Sequence, residues 1–290
     1  RYKNIVFIIL DGMGEHILEK ASPKGYLKSK DIDCLTSVYP STTTAALTTY
    51  YSGRPPYETG WIAWSQYFKE YGRAIDMFSH RQSLNGGEIK KAKKDVFKEI
   101  LNYQTVFERI EEASPQIKAY EIMPTYAEKK SKRSIRADSI EEIITNIEML
   151  CENQEEKFIM AYSDNPDGLL HKYGTDSKEV KEFITKTEEQ LQKMCEKLSK
   201  DTLVIISADH GHKNIEKAYT MLDYPEIKEC LIMPETLESR VVAFWVKEEM
   251  KEEFEKKFNK QFGKEFWLIT KQEFLEKNFL GFGQKHSKID

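Results

Sequence analysis

Residues 4–14 read Asn-Ile-Val-Phe-Ile-Ile-Leu-Asp-Gly-Met-Gly, and this segment determines the class of fold that the sequence predicts. An uninterrupted apolar run leads directly into Asp11 and then into Gly12 and Gly14. A near-continuous apolar run of this length is typical of a strand that is buried on both faces of a parallel sheet. The segment therefore predicts a central strand with polar residues at its carboxyl end.

The same arrangement occurs twice more along the chain. Apolar residues 158–162 lead into a loop that contains Asp167, and apolar residues 203–206 lead into Asp209 and His210. Between the strands, apolar residues at helical spacing predict helices around 96–113, 139–152 and 176–199, and 241–246 is a further strand candidate. This alternation predicts an α/β fold with a doubly wound, mostly parallel sheet flanked by helices. Because such sheets bind ligands beyond the carboxyl ends of their strands, we expect the polar loops to meet at one site.

The stretch from about 55 to 136 interrupts the alternation of strands and helices. It is rich in aromatic residues and contains a Gly86-Gly87 turn and a basic run over 129–133. We interpret part of it as a small cap-like insertion that shapes the mouth of the site. The sequence as a whole predicts a single catalytic domain over 1–290, with this insertion inside it.

Composition excludes several classes of protein. The 290 residues are 40% hydrophobic and 32% charged, as in an ordinary globular protein, and the net charge of -4 gives no reason to expect a nucleic-acid polymer as a partner. No apolar run approaches the roughly 20 residues of a membrane span. The four cysteines are far apart, which argues against a zinc ribbon or a disulfide framework. We expect a cytoplasmic protein, or a secreted one if an N-terminal segment has been removed.

Carboxylates and imidazoles at the strand ends are the candidates for metal binding. Asp167 and His171 are spaced i, i+4, which brings both side chains to one face of a helical turn. Carboxylate oxygen and histidine nitrogen are ligands that zinc prefers. Each residue alone could be a cap or a hydrogen-bonded surface residue, but the repeated pattern favours a metal site. The candidate ligands are Asp11, Asp167, His171, Asp209, His210 and, near the C-terminus, His286. His212 is a weaker candidate, for a contact with substrate.

A run of hydroxyl residues after Pro40 is the candidate for a nucleophile. Ser41 to Thr44 precede an Ala- and Leu-containing stretch that ends at Gly53, which predicts a short helix. A hydroxyl at a helix N-terminus lies in positive potential and could attack phosphorus if a metal lowered its pKa. Simple N-capping explains the same residues, and four hydroxyls in a row leave the choice of nucleophile open.

In their order, these motifs resemble those of the alkaline phosphatase superfamily, and within it the type I phosphodiesterase/nucleotide pyrophosphatase family. The motifs that carry the resemblance are Asp11-Gly12 after the first strand, Pro40-x-x-Thr43 before a helix, Pro166-Asp167-x-x-x-His171, Asp209-His210-Gly211 and the late His286. Each motif is weak alone, whereas the ordered set is specific. The resemblance covers most of the chain and implies an alkaline phosphatase-like fold.

The resemblance also implies the chemistry. One divalent metal ion would be held by Asp167, His171 and His286, and the other by Asp11, Asp209, His210 and the oxygen of Thr43. Zinc is the expected metal, with manganese or iron as alternatives. Thr43 would attack phosphorus and form a covalent phospho-threonine. The implied substrate is a small-molecule phosphoester, with nucleotides among the candidates; the oligomeric state stays open.

One position departs from the family pattern. Nucleotide-cleaving relatives carry an Asn after the nucleophile helix, where this chain has Trp64, and Ser65 or Gln66 are the candidates to replace that donor. We therefore retain two alternatives. The first is a phosphomonoesterase or phosphonate hydrolase with the same metal site, and the second, from a different class, is a phosphomutase.

Overall fold

The computed structural model describes residues 2–89 and 95–289, so residues 1, 90–94 and 290 of the predicted domain lie outside it. The strands within these residues are β1 (Asn4–Leu10), β2 (Ser65–Phe68), β3 (Arg73–Asp76), β4 (Arg81–Gln82), β5 (Lys118–Met123), β6 (Arg133–Arg136), β7 (Lys157–Ser163), β8 (Thr202–Ser207), β9 (Thr236–Leu237) and β10 (Val242–Ala243).

The helices within the same residues range from one turn to 20 residues in length. They are α1 (Glu15–Ala21), α2 (Tyr26–Ser29), α3 (Thr43–Ser52), α4 (Pro56–Thr59), α5 (Val96–Glu99), α6 (Val106–Ala113), α7 (Ile140–Cys151), α8 (Asp167–Tyr173), α9 (Lys178–Lys197), α10 (Pro225–Lys228), α11 (Lys251–Phe262) and α12 (Lys271–Glu276). No helix in the described part of the chain has the length and apolar character that crossing a bilayer requires.

The chain forms two compact units. The first unit comprises Arg1–Ser37, Ala46–Gly53 and Tyr103–Asn214, and the second comprises Val38–Ala45, Arg54–Asn102 and Ile215–Asp290. Residues 55–102 of the predicted insertion thus fall in the second unit together with the C-terminal part of the chain. Residues 103–136 fall in the first unit. The single catalytic domain with its cap stays a prediction.

The first unit is built on a five-stranded sheet in the order β6-β5-β7-β1-β8, in which every neighbouring pair is parallel. Ile9 of β1 is in register with Tyr162 of β7 and with Ser207 of β8. The carboxyl ends of these three strands are therefore level, which brings the loops that follow them to one edge.

Both faces of this sheet are covered by helices, because β1 is apolar on both sides. On one face, Val6 and Ile8 join a core with the apolar stripes of α1, α7 and α9. On the other face, Phe7 contacts Tyr50 of α3, with ring centroids 5.1 Å apart. The predicted parallel α/β sheet flanked by helices is confirmed.

The second unit contains a separate, antiparallel sheet in the order β10-β9-β2-β3-β4. Helix α11 buries one aromatic stripe, formed by Phe254, Phe258 and Phe262, against Ile227 and Leu231. Its spacing of four residues places the three rings on one face of the helix.

Two elements are shorter than the sequence predicts. The helix expected around 96–113 is divided into α5 and α6, because Thr105 begins a new helix and forms a capping box with Glu108. The strand expected over 241–246 is reduced to Val242–Ala243, which pairs with β9.

Candidate metal centre

Two glycines allow three loops to converge at the carboxyl end of β1. Gly12 has a positive φ of 72°, and a Cβ atom at this position would lie 3.1 Å from the Cα of Asp167. A Cβ atom at Gly14 would lie 2.8 Å from the Cα of Gly211, closer than real side chains approach. The glycines after Asp11 are therefore required by the close approach of the loops that follow β7 and β8.

The loops bring Asp11, Asp209 and His210 together as a first cluster. Both aspartates are buried, with 3% and 2% exposure respectively. Nε2 of His210 lies 3.3 Å from Oδ1 of Asp11 and 3.7 Å from Oδ2 of Asp209. Nδ1 of His210 is 3.0 Å from the carbonyl oxygen of Gly211. Because a carbonyl can only accept, Nδ1 carries the proton in the neutral ring and the lone pair is on Nε2, the nitrogen nearest the carboxylates.

Each carboxylate of this first cluster has one oxygen that is held and one that is not. Oδ1 of Asp209 accepts hydrogen bonds from the backbone N–H of Gly12 (3.1 Å) and of His210 (2.9 Å). Oδ2 of Asp11 accepts a hydrogen bond from the hydroxyl of Tyr162. The other two oxygens, Oδ1 of Asp11 and Oδ2 of Asp209, are buried and accept no hydrogen bond from the described residues. A buried acceptor without a partner costs about 1–3 kcal/mol, and one divalent cation would satisfy both.

The electrostatics of the first cluster support the same conclusion. Burial raises the pKa of Asp11 well above its ordinary value, and the nearby charges of Asp209 and Asp167 raise it further, against the hydrogen bond from Tyr162. Without a cation, the cluster resists holding both carboxylates in their charged form. The residues present therefore fit a divalent metal ion.

Asp167, His171 and His212 form a second cluster. Asp167 begins α8, and Nε2 of His171, one turn later, lies 3.5 Å from its Oδ2. Nε2 of His212 is 2.6 Å from Oδ1 of Asp167, and the rings of His171 and His212 are perpendicular with centroids 4.6 Å apart. Burial alone would raise the pKa of Asp167, but the hydrogen bond from His212 and the neighbouring imidazoles outweigh it and lower the pKa.

His210 links the two clusters. One ligand atom each from Asp167, His210 and His212 lies within 4.8 Å of the others, and the same holds for Asp11, Asp209 and His210. Two overlapping groups of carboxylate and imidazole ligands therefore lie at the carboxyl edge of the sheet.

Asn214 explains why His212 meets α8, and the sequence did not single it out. Its Oδ1 accepts from the backbone N–H of Thr175 (2.9 Å), and its Nδ2 donates to Asp176 (3.0 Å). These bonds fasten the loop after β8 to the segment that follows α8. The position of Tyr162 at the end of an apolar strand was the only sequence signal for its contact with Asp11.

Five of the predicted ligands thus lie together in the first unit: Asp11, Asp167, His171, Asp209 and His210. Thr43 and His286 belong to the second unit, and their roles stay predictions. Thr43 is the first residue of α3 and is buried. Nε2 of His286 is 3.0 Å from the carbonyl of Ile100, and its Nδ1 accepts from the N–H of Lys288 at 3.1 Å. Binding a metal would require His286 to exchange one of these bonds.

The predicted substrate contacts have partners within the second unit. Trp64 stacks on Phe78 with centroids 5.6 Å apart, and the hydroxyl of Ser65 is 2.7 Å from that of Ser83. The side-chain amide of Gln66 accepts a hydrogen bond from the N–H of Ile62 and donates one to the carbonyl of Gly60. The substrate-binding roles of these residues and of His212 stay predictions.

Comparison with known proteins identifies the family. The chain matches the family model described as Type I phosphodiesterase / nucleotide pyrophosphatase over residues 5–276. It therefore belongs to the type I phosphodiesterase/nucleotide pyrophosphatase family, as the order of its motifs predicts. A search of curated protein sequences finds no match.

Solved structures of ectonucleotide pyrophosphatase/phosphodiesterase 5 are similar to this chain. The murine protein has a TM-score of 0.66 and 15% identity, over 98% of this chain and 76% of that one. An inactive variant of it, in complex with AMP, has a TM-score of 0.68 and 16% identity, over 98% and 75% of the two chains. The human protein has a TM-score of 0.63 and 16% identity, over 88% and 69%. At these identities the similarity shows the fold, which is alkaline phosphatase-like.

Proposed function

We propose that this chain hydrolyses phosphodiesters or nucleotide pyrophosphates with the help of two divalent metal ions. The observation that carries the proposal is the pair of buried, unpartnered oxygens of Asp11 and Asp209 beside Nε2 of His210. Membership of the family supplies the class of reaction.

The first ion would be held by Asp11, Asp209 and His210, with the oxygen of Thr43 as a further ligand. The second would be held by Asp167 and His171. For this ion the family pattern adds His286, while the distances within the first unit favour His212 as another candidate. When bound, such a pair of ions supplies positive charge to the phosphate oxygens and lowers the pKa of a coordinated hydroxyl. Zinc suits these ligands, and manganese or iron are alternatives.

Thr43 is the proposed nucleophile. Its position at the start of α3 supports this role, because a helix N-terminus favours the negative charge of a phosphate group. The Thr43 hydroxyl gives up its proton to water, and its oxygen bonds to phosphorus. The bond from phosphorus to the leaving oxygen breaks, and the leaving group departs with the bonding electron pair and takes up a proton from water. Water then attacks the phospho-threonine and releases the phosphate product with the hydroxyl restored.

A nucleotide is the proposed substrate class, supported by the complex of the inactive murine relative with AMP. Trp64, at the position of the expected Asn, favours one second candidate, a phosphomonoesterase or phosphonate hydrolase with the same metal ligands. The two candidate functions differ in whether the phosphorus of the substrate carries a second ester group.

The test is a rate comparison of zinc-loaded protein on bis-p-nitrophenyl phosphate and p-nitrophenyl phosphate. We expect the diester to be preferred and Thr43→Ala to reduce the rate by about 10⁴-fold or more, as loss of a nucleophile does. Thr42→Ala is the matched control, since it removes a hydroxyl from the adjacent residue, and Thr42 has the same 7% exposure as Thr43.

Each other outcome has a definite meaning. Preference for the monoester retains the metal site and moves the assignment to the phosphatases. Equal rates for Thr43→Ala and wild type, or a loss in Thr42→Ala alone, show that Thr43 is not the nucleophile. Cleavage of neither substrate overturns the hydrolase proposal and returns the phosphomutase alternative.

A further inference from the structure

We propose that Tyr162 is a positioning residue that fixes the Asp11 carboxylate so that Oδ1 is presented to a metal ion. This inference rests on the metal site of the proposed function. It concerns a side chain that is not among the predicted ligands and that donates a hydrogen bond to the carboxylate of Asp11.

The location of Tyr162 supports this role. It is the penultimate residue of β7, directly beside Ile9 of β1, and its exposure is 2%. Asp11 follows two residues after Ile9, so the phenol extends along the sheet edge to Oδ2 of Asp11 and donates a hydrogen bond to it. Both strands are held by the parallel ladder, so donor and acceptor have little freedom to separate.

The two carboxylates of the first cluster are fixed by different means. Asp209 is held through Oδ1 by two backbone N–H groups, which no substitution of a side chain removes. Asp11 is held through Oδ2 by the Tyr162 hydroxyl. In both cases the second oxygen is left buried without a hydrogen-bond partner. This division, one oxygen held and one available, is how outer hydrogen bonds orient a ligand for a metal.

Removal of the hydroxyl alone should therefore weaken metal binding without disturbing the packing of the ring. In Tyr162→Phe, Oδ2 of Asp11 loses its donor, and the carboxylate can rotate or offer either oxygen. Loss of an outer-shell partner typically costs 10–100-fold in metal affinity, and we expect about this effect on the site that contains Asp11.

The experiment is a titration of metal-free protein with cobalt, followed by the visible absorption of the bound ion and by competition with a chelator. Tyr51→Phe is the matched control, because Tyr51 is also buried and donates its hydroxyl to Sδ of Met123 instead of to a ligand. Melting curves by circular dichroism establish that both variants are folded at the temperature of the titration.

We expect Tyr162→Phe to bind the first cobalt equivalent about 10–100-fold more weakly, with an altered absorption band, and Tyr51→Phe to match wild type. If the Tyr162→Phe variant is folded and binds cobalt with the affinity and the spectrum of wild type, the positioning role is wrong. An equal loss in both variants overturns it too, since a general effect of core hydroxyls would then explain the result. Wild-type protein that takes up no cobalt overturns the proposed function itself, which distinguishes the two failures.

Discussion

The first cluster, around Asp11 and Asp209, and the second, around Asp167, use the same residue types in different surroundings. In the first, both carboxylates are buried and each keeps one oxygen without a hydrogen-bond partner. In the second, both oxygens of Asp167 already face imidazoles, and the side chain of His171 is 70% exposed. Burial removes competing water and fixes ligands in advance, whereas an exposed ligand must be ordered when the ion binds. We therefore expect the first cluster to bind its ion more tightly than the second.

The largest effect should come from removing a ligand of the first cluster. Asp209→Asn retains the oxygen that accepts hydrogen bonds from the backbone N–H groups of Gly12 and His210. It replaces the unpartnered oxygen with an NH2 group, which cannot bind a metal ion in the same way. We expect loss of the tighter metal equivalent and a fall in diester hydrolysis on the order of 10³-fold, beyond the 10–100-fold of an outer-shell change. Metal analysis after dialysis and steady-state rates measure both. Tight binding that survives in Asp209→Asn would show that the first cluster is not the tighter site.

A smaller loss of binding free energy should follow from Asp167→Asn, because the equivalent that it removes is the weaker one. The variant removes the shared carboxylate of the second cluster while the hydrogen bonds of Asp11 and Asp209 remain. We expect the weaker equivalent to disappear and the tighter one to be retained, so that the stoichiometry falls from two to one. Loss of both equivalents in this variant would mean that the clusters act as one site.

His171→Ala and His212→Ala test the two imidazoles of the second cluster separately. Both imidazoles lie close to Asp167, at 3.5 Å and 2.6 Å. We expect each variant to weaken the second equivalent by on the order of 100-fold, at the upper end of the range for outer-shell changes, because a candidate ligand is lost while the other imidazole remains. If His212 contacts substrate instead, its variant raises KM with metal affinity unchanged, as the sequence predicts.

The smallest effect concerns the stability of metal-free protein. The pKa of Asp11 is raised in the folded state, so its charged form opposes folding, and this penalty grows as pH rises through the raised pKa. Below the ordinary carboxyl pKa the penalty is absent. We therefore expect Asp11→Asn to be more stable than wild type with a chelator at neutral pH, by on the order of 1 kcal/mol, and to lose this advantage near pH 4.

Urea unfolding at the two pH values measures this difference, with zinc-saturated protein as the control. Zinc should reverse the order, because only wild type has the complete ligand set. A metal-free Asp11→Asn variant that is less stable at neutral pH would contradict an uncompensated charge at this position.

The sequence predicts those parts of the fold and site that depend on short-range patterns. The apolar runs before Asp11, Asp167 and Asp209 identified three neighbouring strands and the edge where their loops meet. The i, i+4 spacing correctly predicted that His171 lies near Asp167. The sequence Thr105-x-x-Glu108 is a capping signal that indicates the break between α5 and α6. The apolar spacing across this position nevertheless predicts one continuous helix.

What the sequence did not predict depends on contacts between distant segments. The hydrogen bond between His212 and Asp167 joins residues 45 positions apart and follows from the register of β7 and β8 on β1. The sequence predicts Tyr162 only as part of an apolar strand, since nothing local indicates that its hydroxyl reaches Asp11. The antiparallel sheet of the second unit has strands of two to four residues, too short for a periodic pattern.

The most direct test of the central claim is a calorimetric titration of metal-free protein with zinc, repeated with Asp209→Asn and Asp167→Asn. We expect two equivalents of unequal affinity, of which the tighter is lost only in Asp209→Asn and the weaker is lost in Asp167→Asn. Uptake of less than one equivalent by wild type, with no change in Asp209→Asn, would contradict it.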